Sequence, residues 1–289
     1  MNIKPAALLI VSILASTFLA AAPLAAAPIE PGASQQTASI DGKSMPIFLY
    51  RPSCSQPSLL LVFHGTNRDA DHYRDHARPL ADRLCMIVLA PAFDKKTFPS
   101  WRYQRGGIVN NNGVVQAADK WTGKLVLKLV DWAREQEGKP LAYSLIGHSA
   151  GGQFLERVVA YIPTEAQRIV IANPSSYVLA STDVAAPYGL GRVYRTGEAE
   201  AELKRYLAAP VTVFLGEDDL GDKNLAQTPE AKAQGKTRYE RGLFAFNAAK
   251  KQAQDRGLAF NWRLVEMPGV GHNAKRMFSS PQAEQALAP

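Results

Sequence analysis

The stretch Gly147-His148-Ser149-Ala150-Gly151 constrains this chain more than any other, because it follows the apolar run Leu141-Ala142-Tyr143-Ser144-Leu145-Ile146 without a gap. It reads G-x-S-x-G, the pattern that puts a serine on a sharp turn from strand to helix. Side chains two residues before and two after the serine would collide in such a turn, and glycine removes the collision. Ser149 Oγ is thereby lifted toward solvent. Gly152 to Tyr161 carries apolar residues at helical spacing, so its first turn offers free N–H groups and a positive dipole end beneath the serine.

A short pattern of this kind also arises by chance, so the remaining parts must appear in the right order. A serine nucleophile needs a base and an acid, commonly met as Ser, then Asp or Glu, then His. Of His64, His72, His76, His148 and His272, only His272 follows Ser149, in the glycine-rich Met267-Pro268-Gly269-Val270-Gly271-His272-Asn273. Upstream, the apolar run Leu59 to Phe63 ends in His64-Gly65-Thr66-Asn67. Donors aimed at the oxygen that gains charge in acyl transfer lower the barrier without reorganising. The backbone N–H groups of Thr66 and Ala150 are assigned that part, with the side chains of Thr66 and Asn67 as alternatives. His64 reads as a residue that packs and hydrogen-bonds to hold its loop. The acid lies past the buried run Val211 to Leu215, where Asp218 and Asp219 stand side by side.

Several further stretches carry a resemblance: His64-Gly65-Thr66-Asn67-Arg68-Asp69-Ala70, Ala90-Pro91-Ala92-Phe93-Asp94, Gly147 to Phe154, Pro187-Tyr188-Gly189-Leu190 and Pro268 to His272. In this order, over about residues 45 to 280, the chain resembles secreted bacterial α/β-hydrolases of the esterase and polyhydroxybutyrate-depolymerase-like group. The resemblance implies an α/β-hydrolase fold and hydrolysis of carboxylic esters without metal or organic cofactor. Hydrolases of this type commonly show G-x-x-D at the acid, and counting from Gly216 makes Asp219 the match.

Strand-like and helical runs alternate along the chain. Helices are predicted over 69–84, 117–136, after Ser149, 198–207, 237–255 and after His272. Strands are predicted over 86–90, 141–146, 168–172, 211–215 and 260–265. Such alternation gives an α/β class fold, a mostly parallel central sheet with helices on both faces. Ser149, Thr66, Asp219 and His272 all follow strands, and ligands bind beyond the carboxyl ends of such sheets. Residues 38–289 read as one domain, preceded by a flexible lead-in over 28–37. Residues 1–27, with Lys4 and the apolar run Ala6 to Ala22, read as a signal peptide cut between Ala20 and Ala27; a retained anchor is the alternative. That places the protein in the periplasm or outside the cell. There, Cys54 and Cys85 are predicted to form a disulfide, with two buried thiols as the alternative.

Other constellations lead elsewhere or nowhere. His72 and His76 stand four apart on a helix but lack a third ligand at a recognisable spacing, and read as a solvated face. The glycines near Ser149 match neither a dinucleotide fingerprint nor a P-loop. The net charge of +7 is scattered, which argues against nucleic-acid recognition. Trp101, Trp121 and Tyr177 are the candidate pocket residues, with core packing as the alternative. The sequence thus predicts a serine hydrolase of small or oligomeric esters. A peptidase or amidase with the same triad, or a binding protein on a hydrolase scaffold, are the alternatives.

Overall fold

The computed structural model describes residue 1 and residues 27–288; residues 2–26 of the predicted signal segment therefore lie outside the described residues. Eight strands form one sheet: β1 (Gly32–Ile40), β2 (Lys43–Arg51), β3 (Ser58–Phe63), β4 (Met86–Pro91), β5 (Tyr143–His148), β6 (Ile169–Ala172), β7 (Val211–Gly216) and β8 (Arg263–Met267). The helices are α1 (Ala70–Leu84), α2 (Leu125–Glu137), α3 (Ala150–Tyr161), α4 (Thr196–Leu207), α5 (Pro229–Lys232), α6 (Arg238–Asp255), α7 (Ala274–Phe278) and α8 (Pro281–Leu287). Strand order is β1-β2-β4-β3-β5-β6-β7-β8. The pairs from β4 to β8 are parallel, and β1 and β2 run antiparallel at one edge.

The central strands are apolar on both faces because helices cover both. In β3, Leu59, Leu61 and Phe63 face one core, with side chains from α2, α3, α4 and α6. Leu60 and Val62 face the other, with α1, α7 and α8. Alternate residues of a strand point to opposite faces, so one run of five apolar residues supplies both layers. Thr212 in β7 is one of the few buried polar residues in these strands; its hydroxyl donates to the Ala286 carbonyl at 2.8 Å and fixes α8 to the sheet.

Three expectations need correction. Residues 28–37 are not a free lead-in: β1 pairs with β2 over its whole length, Ala38 and Ile40 are buried, and the Ile29 N–H donates to Glu137 at 2.9 Å. Edge pairing satisfies a backbone whose side chains are mostly polar, so composition concealed the strand. The helix predicted over 117–136 begins only at Leu125, after two short 3-10 turns. There Gly123 lies so close to α3 that a Cβ would sit 2.6 Å from Ile162. Phe260 and Trp262 precede β8 rather than forming it; the Trp262 indole donates to the Tyr206 carbonyl at 2.9 Å. Among the described residues no helix is long and apolar enough to cross a membrane.

Cys54 and Cys85 are joined as a disulfide, with Cα atoms 6.0 Å apart and 31 positions apart in sequence. The bond ties the segment before β3 to the start of β4. Constraining a loop of this size in the unfolded chain is worth about 3 kcal/mol. Replacing both cysteines with alanine is expected to lower unfolding stability by that order in urea titration. An unchanged midpoint would mean that the bond does not restrain the unfolded state.

Candidate active site

Ser149 sits between β5 and α3 with φ 58° and ψ −116°, a region side-chain-bearing residues seldom adopt. The turn is held by close packing. A Cβ on Gly147 would lie 2.4 Å from the Gly151 carbonyl oxygen, and one on Gly151 would lie 2.0 Å from the Phe63 carbonyl oxygen. No side chain fits at either position. The Ser149 N–H donates to the Ala172 carbonyl at 2.9 Å, which ties the strained residue to β6.

His272 enters from the loop after β8. Its Nδ1 is 2.6 Å from Asp219 Oδ2 and its Nε2 is 2.9 Å from Ser149 Oγ. A carboxylate only accepts, so Nδ1 carries the proton and the Nε2 lone pair faces the serine hydroxyl. Asp219 is 1% exposed, while the neighbouring Asp218 faces solvent. The geometry therefore joins Asp219, and not Asp218, to the histidine.

Sequence reasoning missed Arg238. It is 1% exposed, and its guanidinium lies 3.4 Å from Asp219 Oδ1 on the side away from the histidine contact. It also donates to the carbonyls of Gly221 at 3.2 Å and Lys223 at 2.6 Å, fixing the loop that carries the acid. Nothing near position 238 in the sequence marks it, because its partners lie 15 to 19 residues upstream. His148 was likewise unassigned. Its ring lies against His272 with centroids 4.5 Å apart, and its Nδ1 is 3.1 Å from the Tyr73 hydroxyl. Burial, with His272 next in effect, holds His148 well below the ordinary imidazole range. A neutral ring therefore backs His272, with no second cation against it.

Thr66 and Ala150 leave neighbouring strands at the same level. Phe63 pairs with Gly147, and each candidate donor lies three residues beyond its member of that pair. Thr66 lines the cavity over Ser149; Ala150 opens α3 and is buried. Behind Thr66, His64 Nε2 accepts from the Phe93 N–H at 3.1 Å and Nδ1 faces the Gly65 carbonyl at 3.0 Å. Arg68 adds to this brace, donating to the carbonyls of Phe93 and Phe98 at 2.9 Å each above the Tyr103 ring. His64 thus holds two loops together, as its sequence context implies.

The cavity measures about 770 Å³ and includes Thr66, Asn67, Ser149, Asn224, His272 and Lys275 in its walls. The three expected pocket residues are elsewhere. Tyr177 is wholly buried in the core, its backbone bonded on both sides to the Gln234 amide. Trp121 lines a different cavity, and Trp101, half-buried beneath the Arg102 guanidinium, lines neither. Each follows a strand or turn in sequence, but side-chain direction there is set by packing. His72 is exposed, whereas His76 turns in to the cavity wall against Tyr73, correcting the solvated face expected of both. Among the described residues no cluster of three or more metal-ligating side chains occurs.

No family model matches the chain, and no curated protein matches it. Solved structures do. The poly(3-hydroxybutyrate) depolymerase LpqC from Bordetella parapertussis is 31% identical, with TM-score 0.81 over 89% of this chain and 90% of its own. Poly(aspartic acid) hydrolase-1 from Sphingomonas sp. KT-1 is 32% identical, with TM-score 0.81 over 88% of this chain and 98% of its own. A thermostable esterase at 14% identity and TM-score 0.55, over 89% of this chain and 62% of its own, shares the fold alone.

Burial pushes the His64 imidazole down to about 4 from an ordinary 6.5. The unfolded chain therefore binds the proton first, and stability falls as pH drops from about 6.5 to about 4, being fully present above that window. His64→Gln should flatten this part of the stability curve, measured by urea unfolding at several pH values. Parallel curves for the two proteins would show that His64 is not the buried neutral group described.

Proposed function

We propose, since this chain belongs to the α/β-hydrolase family of esterases and poly(3-hydroxybutyrate)-depolymerase-like hydrolases, that it is a serine hydrolase that cleaves carboxylic esters through an acyl-enzyme. The observation that carries the reading is the continuous contact from Ser149 Oγ through His272 to the buried Asp219. In the first half-reaction Ser149 Oγ attacks the carbonyl carbon and its proton passes to His272 Nε2. The tetrahedral oxygen gains charge, which the N–H groups of Thr66 and Ala150 are proposed to meet. His272 then gives the proton to the departing alcohol. Water repeats the sequence on the acyl-serine, with the same histidine taking its proton. Asp219 keeps the imidazole in the required tautomer and stabilises its charge, while Arg238 holds the carboxylate in place.

A second reading keeps the triad and changes the bond. The similarity to a poly(aspartic acid) hydrolase supports cleavage of an amide, for which His272 must protonate the leaving nitrogen. The domain is proposed to begin at β1 and to follow a signal peptide over residues 1–27. The disulfide supports a folding compartment that is oxidising, the periplasm or the exterior.

Ser149→Ala is expected to abolish both turnover of a short p-nitrophenyl ester and labelling by a fluorophosphonate. Persistent labelling would remove the serine from the mechanism. Asp219→Asn should lose about 10⁴ in kcat, because asparagine keeps the shape but permits the wrong imidazole tautomer. Asp218→Asn should stay near wild type, and the reverse ranking would reassign the acid. A matched p-nitroanilide turned over faster than the ester would favour the amide reading.

A further inference from the structure

A second cavity, of about 570 Å³, opens on the same edge of the sheet as Ser149. It lies where the β1–β2 turn meets the segment after β4 and the start of α2. Because β2 is antiparallel to β4, with Ile47 opposite Pro91, that turn stands level with the carboxyl ends of the parallel strands. Five cations from these three segments, Lys43, Arg102, Lys120, Lys124 and Lys128, line it, against Asp41 and Asp119. Lys128 is paired with Asp41, and Lys120 with Asp119 at 3.4 Å. Lys43, Arg102 and Lys124 are left as the positive excess. The Lys43 ammonium lies 5.8 Å from the Phe98 ring centre, and Arg102 Nε is buried without a partner. The local field acts on Asp41, whose carboxyl is held below its usual range first by Lys128, with Lys43 and Lys120 adding to the effect.

We propose that this cavity is a second binding site, which holds the downstream carboxylates of an acidic oligomer while one of its bonds lies at Ser149. The assignment rests on the reading of Ser149 as nucleophile given above. Three features decide the ligand class. The three excess cations come from separate segments, and their summed field favours a ligand that carries several negative charges. The aromatic floor is closed, with Phe98 3% and Trp121 6% exposed, so no ring face is available for nucleobases to stack on. The distance also fits. From β2 to β5 is three strand spacings, about 14 Å at ~4.8 Å each. An extended oligomer covers that in about four units at ~3.3 Å per unit. In the first cavity Lys223 and Lys275 are offset by Asp69 and Asp218, so the excess positive charge lies in the second.

The test uses Lys43→Glu/Lys124→Glu, both positions being outside the machinery assigned to bond cleavage. A fluorescein-labelled oligo-L-glutamate of about ten units is titrated at low ionic strength against Ser149→Ala and against Ser149→Ala carrying the two reversals. Fluorescence anisotropy then reports binding with no chemical step. The reversals should weaken Kd by at least about tenfold, and added salt should weaken the parent complex. With Ser149 intact, unlabelled oligoglutamate should inhibit p-nitrophenyl acetate turnover competitively, and the reversals should relieve inhibition while leaving uninhibited turnover unchanged. Equal Kd in the two forms, inhibition that survives the reversals, or tighter binding of duplex DNA than of oligoglutamate at the same salt would overturn the proposal. Absence of ester turnover in the unreversed protein would instead overturn the hydrolase reading, with the anisotropy result still deciding whether the second cavity binds acidic chains.

Discussion

The approach of Gly151 to the Phe63 carbonyl is the contact on which the rest of this structure depends. With a Cβ at 2.0 Å from that oxygen excluded, α3 can begin directly against the end of β3, and every residue from Ala150 to Tyr161 is buried. The same contact sets Ser149 in its strained conformation, since the chain must reverse between β5 and a helix pressed onto the neighbouring strand. It also fixes the relation of the two candidate donors, because Thr66 and Ala150 leave β3 and β5 from paired positions. Packing and chemistry share one constraint.

Around this elbow, charge is arranged so that one carboxylate is buried without being isolated. Asp219 meets His272 through one oxygen and Arg238 through the other. A buried carboxylate with a single partner would be costly, and removing a partner from such a pair costs several kcal/mol. Arg238 also donates to the Gly221 and Lys223 carbonyls of the loop that carries Asp219, so the position of the acid and the course of its loop are one problem with one solution. The buried His148 ring, held well below the ordinary imidazole range, completes the setting by lying against His272.

The upper edge of the sheet also shows how a scattered composition becomes a local field. Lys43, Arg102 and Lys124 are far apart in the chain and carry no pattern as a sequence. The antiparallel turn of β1 and β2, the segment after β4 and the start of α2 meet at one corner and bring them together. Trp121 belongs to that corner rather than to the cavity over Ser149, because the short turns before α2 carry it there.

Much of the fold and of the arrangement of the candidate site was already legible in the amino-acid sequence. Period and composition identify the buried strands β3 and β4, whose runs are apolar throughout, and β5 and β7, where a single polar residue interrupts the run, since such runs suit a strand covered on both faces. The elbow is legible because steric exclusion admits only glycine at its two flanks, and His272 because it is the one histidine after the serine. The sequence also singled out Cys54 and Cys85, the only cysteines. Tertiary structure decided what depends on direction and on distant partners. It turned Asp219 inward and Asp218 outward, though the two are adjacent and chemically identical. It buried Tyr177, put Trp121 in another cavity, and made a strand of the polar segment before β2. It supplied Arg238 from the start of α6 to an acid 19 residues away. Local pattern reports which face of an element is apolar; the partner of a particular polar atom exists only once separate elements have packed.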